Sequence, residues 1–166
     1  MKQTDNRQNK LQQVKAQARP FSKTGALSGA AGHAAELSGG GPALSHGGIV
    51  YGLVRDLFVA TKIAQAAKHC HLAVHNSDKA DTLWAHAKER KPVLVILDWD
   101  GCEAEAFKFL KEMGQNADFK MVPSVGYLSQ VKSVTRDEAQ RAGCHRVYTK
   151  TEFMHDLETL IARYAQ

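Results

Sequence analysis

The chain of 166 residues has room for one domain of ordinary size and excludes an enzyme built from two lobes around a cleft. Hydrophobic residues make up 43% of the sequence and charged residues 23%, which excludes disorder throughout. The three cysteines, Cys70, Cys102 and Cys144, form no CxxC pair, so neither a disulfide framework nor a zinc knuckle is expected. The polar N-terminus and the short apolar runs predict a cytoplasmic protein without a membrane span.

The net charge of +5 is distributed unevenly along the chain. Residues 1–47 hold six basic and two acidic residues, whereas the remainder holds 16 basic and 15 acidic residues. The folded part is therefore nearly neutral, and a basic face that reads nucleic acid is not supported. We expect no specific nucleic-acid partner.

The composition and the apolar pattern of the sequence change abruptly at Ile49. Residues 1–47 lack sustained apolar periodicity and are rich in Gly, Ala and Ser, which is typical of a flexible basic arm. From there on, strand and helix patterns alternate. The predicted strands are 49–54, 71–75, 92–98, 119–127 and 145–149, and the predicted helices are 56–69, 78–90, 102–114, 129–142 and 152–164.

Five strands that are each followed by a helix, several of them continuously apolar, predict a parallel sheet that is covered on both faces. We expect residues 48–166 to form an open, flavodoxin-like (βα)5 domain with strand order 2-1-3-4-5. Its ligand crevice then lies at the carboxyl ends of the strands. The candidate site residues at those ends are Arg55, Asp56, Asp98, Asp100, Leu128, Ser129 and Lys150.

Three carboxylates and a lysine at one sheet edge resemble the site of the receiver domain of two-component response regulators, and the resemblance covers residues 49–166. It implies that Asp98 stands at the phosphoacceptor position, that Asp56 and Asp98 would hold magnesium, and that Lys150 would contact the phosphoryl group. A hard cation and an ammonium group are what an aspartate needs to accept a phosphoryl group. The resemblance also implies phosphorelay signalling through protein contacts of the fourth helix, fifth strand and fifth helix, with a histidine kinase or another signalling protein as partner.

The site residues depart from the receiver pattern in two places. Arg55 replaces the first member of the acid pair, which changes the local charge by two units and predicts weak or absent magnesium binding. Because an arginine fork suits a carboxylate, we expect Arg55 to pair with Asp98 or Asp56. Leu128 stands where the family has Ser or Thr, with Ser129 one residue late.

The end of the fifth strand departs as well. Val147 stands where an aromatic residue is common, and Tyr148 is displaced by one residue and is expected on the other face of the strand. Thr151 follows Lys150 in place of the family's proline. These departures indicate a degenerate pseudo-receiver that is not an enzyme. We expect it to need no cofactor, and magnesium is the only candidate for a bound ion.

Two alternatives remain open. The segment LDWDG, residues 97–101, is similar to the first motif of haloacid-dehalogenase-type phosphatases, in which Asp98 would be the nucleophile. Against this alternative, two strand–helix units precede the motif and no acidic motif follows near the C-terminus. The other alternative is an inert scaffold whose N-terminal arm is the active element.

Aromatic and histidine residues give weaker signals. Trp99 directly follows Asp98 and is expected to shield the pocket or to face a partner, whereas the other aromatic residues are expected in the core. His69 is expected to close a helix, and His71 and His75 to lie on one strand and its end, so a shared metal site is not expected.

Overall fold

The computed structural model describes residues 47–130 and 133–166. Within them, five parallel strands form one sheet in the order β2-β1-β3-β4-β5. The strands are β1 Ile49–Leu53, β2 Ala73–Ser77, β3 Leu94–Asp98, β4 Ser124–Leu128 and β5 Arg146–Thr149. The helices are α1 Leu57–His69, α2 Ala80–Glu89, α3 Glu103–Gln115, α4 Ser133–Arg141 and α5 Lys150–Tyr164. Each strand is followed by a helix, which confirms the predicted flavodoxin-like (βα)5 architecture and strand order.

The core lies on both faces of the sheet. Every residue of β1, β3 and β4 is buried, because helices cover both sides of these central strands. One apolar cluster joins the sheet to α2 and α3, where Leu83 and Phe109 are fully buried. The other joins the sheet to α1 and α5 through Ile63 and Phe153. Alternate strand residues therefore enter different clusters.

The end of β5 shows this alternation as predicted. Val147 belongs to the cluster under α2 and α3, whereas Tyr148 packs against the cluster under α1 and α5. The displaced tyrosine therefore lies on the other face of the strand.

Most element boundaries differ from the sequence expectation, and the reason is visible for the starts of two strands. β2 begins at Ala73 and not at residue 71, because His71 has a φ of 56° and lies in the turn after α1. β4 begins only at Ser124, because residues 119–122 form hydrogen-bonded turns, with the Val122 N–H donating to the Phe119 carbonyl. Neither shift changes the strand ends that carry the candidate site.

The predicted arm, residues 1–47, lies outside the described residues except for its last position. Among the residues that the structure describes, no helix is long and apolar enough to cross a membrane.

Candidate functional site

The candidate site lies at the carboxyl edge of the sheet, where the strand order predicts it. Arg55 and Asp56 follow β1, Asp98 is the last residue of β3, and Lys150 is the first residue of α5. Asp100 follows β3, and Ser129 follows β4. These six residues are thus at one edge with Leu128, the last residue of β4, but their contacts divide them into separate groups.

Asp98 is buried, with only 3% of its surface exposed. Its Oδ1 accepts hydrogen bonds from the main-chain N–H groups of Asp100 at 3.1 Å and Gly101 at 3.0 Å. Its Oδ2 accepts a longer bond of 3.4 Å from the Arg55 main-chain N–H. A Cβ at Gly101 would lie 2.7 Å from that Oδ2, so only glycine lets the chain fold this closely over the carboxylate. Asp98 is therefore held by the backbone that surrounds it.

Asp100 is exposed and ties the β3–α3 connection to the segment after β4. Its Oδ2 accepts from the Ser129 main-chain N–H at 2.7 Å and from the Ser129 Oγ–H at 2.6 Å. The hydroxyl that stands one residue after the family's Ser or Thr position is therefore bonded to Asp100 and not directed to Asp98. The sequence named both residues but did not predict this bond.

Asp56 has two roles in the structure. Its Oδ1 caps α1 by accepting from the main-chain N–H groups of Phe58 at 2.9 Å and Val59 at 3.2 Å. Its Oδ2 accepts from Lys150 Nζ at 2.7 Å, which closes an ion pair between β1 and α5. The bond from Lys150 is the main cause that lowers the pKa of Asp56, and the same bond raises the pKa of Lys150.

The prediction that Arg55 pairs with Asp98 or Asp56 is wrong. Both Asp56 and Asp98 are among the described residues, and the Arg55 guanidinium lies within 4.0 Å of neither carboxylate. Lys150 takes the position of the cationic partner because α5 begins directly after β5, with Thr149 as its N-cap, and this places the ammonium group beside Asp56. The Arg55 side chain is exposed.

The expectation that Trp99 faces a partner is also wrong. Trp99 is 3% exposed and belongs to the apolar cluster under α2 and α3. Its ring packs edge-on against Phe107, with ring centroids 4.9 Å apart. It also lies against β4 at Gly126, where an added Cβ would be 2.0 Å from the indole nitrogen. A side chain at position 126 would overlap the indole, so the absence of a side chain at Gly126 allows Trp99 to pack in the core.

A small pocket opens beside Arg55, between the start of α3 and the segments after β1 and β2. It has a volume of about 140 Å³. Its charged lining residues are the cations Arg55 and Lys79 and the acids Asp78, Glu103 and Glu105. Glu105 Oε2 already accepts from the Ala80 main-chain N–H at 2.7 Å. The mixed charge does not select a ligand of either sign.

The carboxylates at this edge are already bonded to other groups in the structure. Magnesium requires several oxygen ligands in near-octahedral geometry. Asp56 is bonded to Lys150, Asp98 accepts the main-chain N–H groups of Arg55, Asp100 and Gly101, and Asp100 is bonded to Ser129. Within residues 47–130 and 133–166, no three His, Cys, Asp or Glu side chains are grouped so that they could hold a metal.

Comparisons with known proteins give a consistent answer for the fold. A response regulator from Hahella chejuensis superposes with a TM-score of 0.63 at 17% identity and covers 70% of this chain and 94% of its own. The chemotaxis response regulator CheY4 of Vibrio cholerae gives a TM-score of 0.62 at 14% identity, with coverage of 70% and 98%.

The receiver domain of the sensor histidine kinase PA1611 from Pseudomonas aeruginosa gives a TM-score of 0.61 at 13% identity, with coverage of 72% and 98%. That domain coordinates a magnesium ion in its active site cleft. No protein-family model and no curated protein matches the sequence. The fold is the flavodoxin-like fold of response-regulator receiver domains.

Proposed function

We propose that this domain is a receiver-like signalling module that acts through protein–protein contacts without phosphorylation of Asp98. The observation that carries the proposal is the state of the Asp98 carboxylate. It is 3% exposed and accepts three main-chain N–H groups, and the lysine that would assist transfer is paired with Asp56. A receiver fold with this site retains a signalling surface while it lacks the arrangement that phosphoryl transfer needs.

The charges at the edge support the same proposal. An attacking aspartate and an incoming phosphoryl group are both anionic, so the reaction depends on a bound cation that offsets their repulsion. At this edge, Arg55 replaces a carboxylate that could hold such a cation, and Lys150 already neutralises Asp56. We therefore propose that the site is a pseudo-receiver site with little or no affinity for magnesium.

An exposed apolar pair supports a role in protein contact. Leu57 is 81% exposed and Phe58 is 62% exposed, and both belong to the first turn of α1 beside the Asp56–Lys150 ion pair. Exposed apolar groups that are adjacent to each other favour contact with another protein over free solvation. A partner that uses α1 would bind outside the α4–β5–α5 surface that the family resemblance implies. A histidine kinase or another signalling protein remains the proposed class of partner.

The proposal is tested by intact-mass analysis of the full chain after incubation with acetyl phosphate and Mg²⁺. We expect no phosphate adduct on the wild type, because Asp98 is covered and no cation site supports transfer. The matched variants are Asp98→Asn and Asp100→Asn, which each remove one carboxylate of the same segment. An adduct near one phosphate per chain that persists in Asp100→Asn and disappears in Asp98→Asn would show that the domain is a phosphorylatable receiver.

A further inference from the structure

Two histidine rings meet where α2 packs against β2. His75 lies on β2 and His86 on α2, and their ring centroids are 4.1 Å apart with an interplanar angle of 50°. Tyr51 on β1 approaches His75 edge-on, with ring centroids 5.8 Å apart. The two imidazoles are thus part of the packing that holds α2 on the sheet.

Among the described residues, no acceptor is available to the Nε2 atom of a charged His75. Its Nε2 is buried and has no hydrogen-bond partner among the described residues. The Tyr51 hydroxyl donates to the carbonyls of His86 at 3.0 Å and Arg90 at 3.1 Å, so its proton is directed to α2 and not to His75. A proton on Nε2 would be a buried donor without an acceptor, which disfavours the charged form of His75.

The charged and titratable groups around this contact do not compensate that proton. From β1 the neighbour is Tyr51, and from α2 it is His86, with Glu89 and Arg90 at the end of the helix close to the Tyr51 hydroxyl. Within the described part of the chain, no carboxylate lies within 4.0 Å of either imidazole. If both rings were protonated, like charges would face each other at van der Waals distance.

We propose that the His75–His86 contact is a proton-sensitive latch, and that protonation of His75 in mildly acidic solution releases α2 from β2. Release of α2 also loosens Lys79, which precedes the helix and lines the pocket beside Arg55. The latch is independent of whether Asp98 accepts phosphate.

The direction of the effect follows from the two protonation states. Burial lowers the pKa of His75 below its ordinary value of 6.5, and the neighbouring His86 lowers it further. Between that lowered value and 6.5, the opened form binds a proton that the closed form does not bind. The closed contact therefore loses stability as the pH falls below 6.5, and its stability does not depend on His75 above that pH.

The latch is tested on the full chain by NMR titration of the histidine rings and by amide hydrogen exchange in α2 between pH 7.5 and 5. We expect His75 to titrate below 6.5. After correction for the intrinsic exchange rate, we expect the opening equilibrium of α2 to rise by up to about tenfold per pH unit, the limit for one linked proton. The matched variants are His75→Gln, which should abolish this rise, and His155→Gln, which should keep it because His155 is exposed beside Asp156.

Two results would overturn the latch. One is a His75 ring that titrates at or above 6.5 in the wild type, a measurement that needs no variant to fold. The other is an α2 opening equilibrium with the same pH dependence in His75→Gln and the wild type. If His75→Gln does not fold, His86→Gln replaces it, since His86 is exposed and removal of its ring should weaken the pH dependence.

Discussion

The Asp56–Lys150 ion pair offers a quantitative test, because Asp56 serves α1 and α5 with different oxygens. Asp56→Ala removes both the helix cap and the ion pair. Asp56→Asn removes the charge and keeps a side-chain oxygen that can cap α1, since Asn is as good an N-cap as Asp. Lys150→Met removes the ammonium group from the other side. The double variant Asp56→Asn/Lys150→Met completes a cycle that isolates the pair.

The expected magnitudes follow from geometry and exposure. The Nζ–Oδ2 distance is 2.7 Å, but the side chains are 34% and 38% exposed, so solvent screens much of the attraction. A pair of this kind contributes about 0.5–1 kcal/mol. Loss of the cap costs a further ~1 kcal/mol. We therefore expect Asp56→Asn to lower the free energy of unfolding by about 0.5–1 kcal/mol and Asp56→Ala by about 1.5–2 kcal/mol.

The pair also gives a pH signature. The pKa of Asp56 is lowered from 3.8 in the folded state, so the pair stabilises the fold above 3.8 and this contribution is lost as the pH falls through the lowered value. The assay is urea unfolding at pH 7, pH 5 and pH 3. The coupling between Asp56 and Lys150 should be present at pH 7 and pH 5 and should have decreased at pH 3. A coupling of zero at pH 7, or equal losses in Asp56→Asn and Asp56→Ala, would refute the two roles of Asp56.

Three further predictions address the core, the arm and turnover. Gly126→Ala should lower the free energy of unfolding by about 1–3 kcal/mol, because the added methyl group overlaps the Trp99 indole. In the control Gly114→Ala, the added methyl group meets no atom within 4 Å and should not destabilise α3. Equal melting temperatures of the two variants would contradict this packing. Deletion of residues 1–45 should leave the melting temperature nearly unchanged, and a loss of several degrees would show that the arm docks. Incubation with a chromogenic phosphate ester and Mg²⁺ should release no product, and turnover that Asp98→Asn abolishes would favour a phosphatase.

Most of the fold could be predicted because β1, β3 and β4 are buried on both faces and are therefore continuously apolar. The edge strand β2 was placed two residues early. Its second half, His75 to Ser77, is polar because an edge strand is half-solvated, and His71 reads as a strand residue although its positive φ places it in a turn. Apolar pattern alone does not locate the start of such a strand.

The site could be predicted as a set of positions but not as a set of contacts. Strand ends placed Asp56, Asp98 and Lys150 at one edge. The choice of Lys150 over Arg55 as the partner of Asp56 depends on where α5 begins, which the Thr149 capping box decides. A signal for this was present, since Glu152 stands three residues after Thr149 in the sequence.

The sequence indicates the burial of Trp99 less clearly than it indicates the start of α5. Gly126 lies inside the predicted strand 119–127, and a glycine inside a strand often marks the close approach of another group. Which group approaches depends on the packing of β3 against β4 and cannot be read from either segment alone.

The most direct measurement of the proposed pseudo-receiver site is the magnesium-dependent shift in melting temperature of the wild type and of Arg55→Asp. The variant restores the acid pair and gathers a third carboxylate beside Asp56 and Asp98, so it should be less stable than the wild type without metal. Magnesium at ten times its dissociation constant should then stabilise the variant by about 1.4 kcal/mol and raise its melting temperature by several degrees. The wild type should show no shift at the same concentration. A wild-type shift as large as that of the variant would show that Arg55 does not prevent metal binding and that Asp98 belongs to a working receiver site.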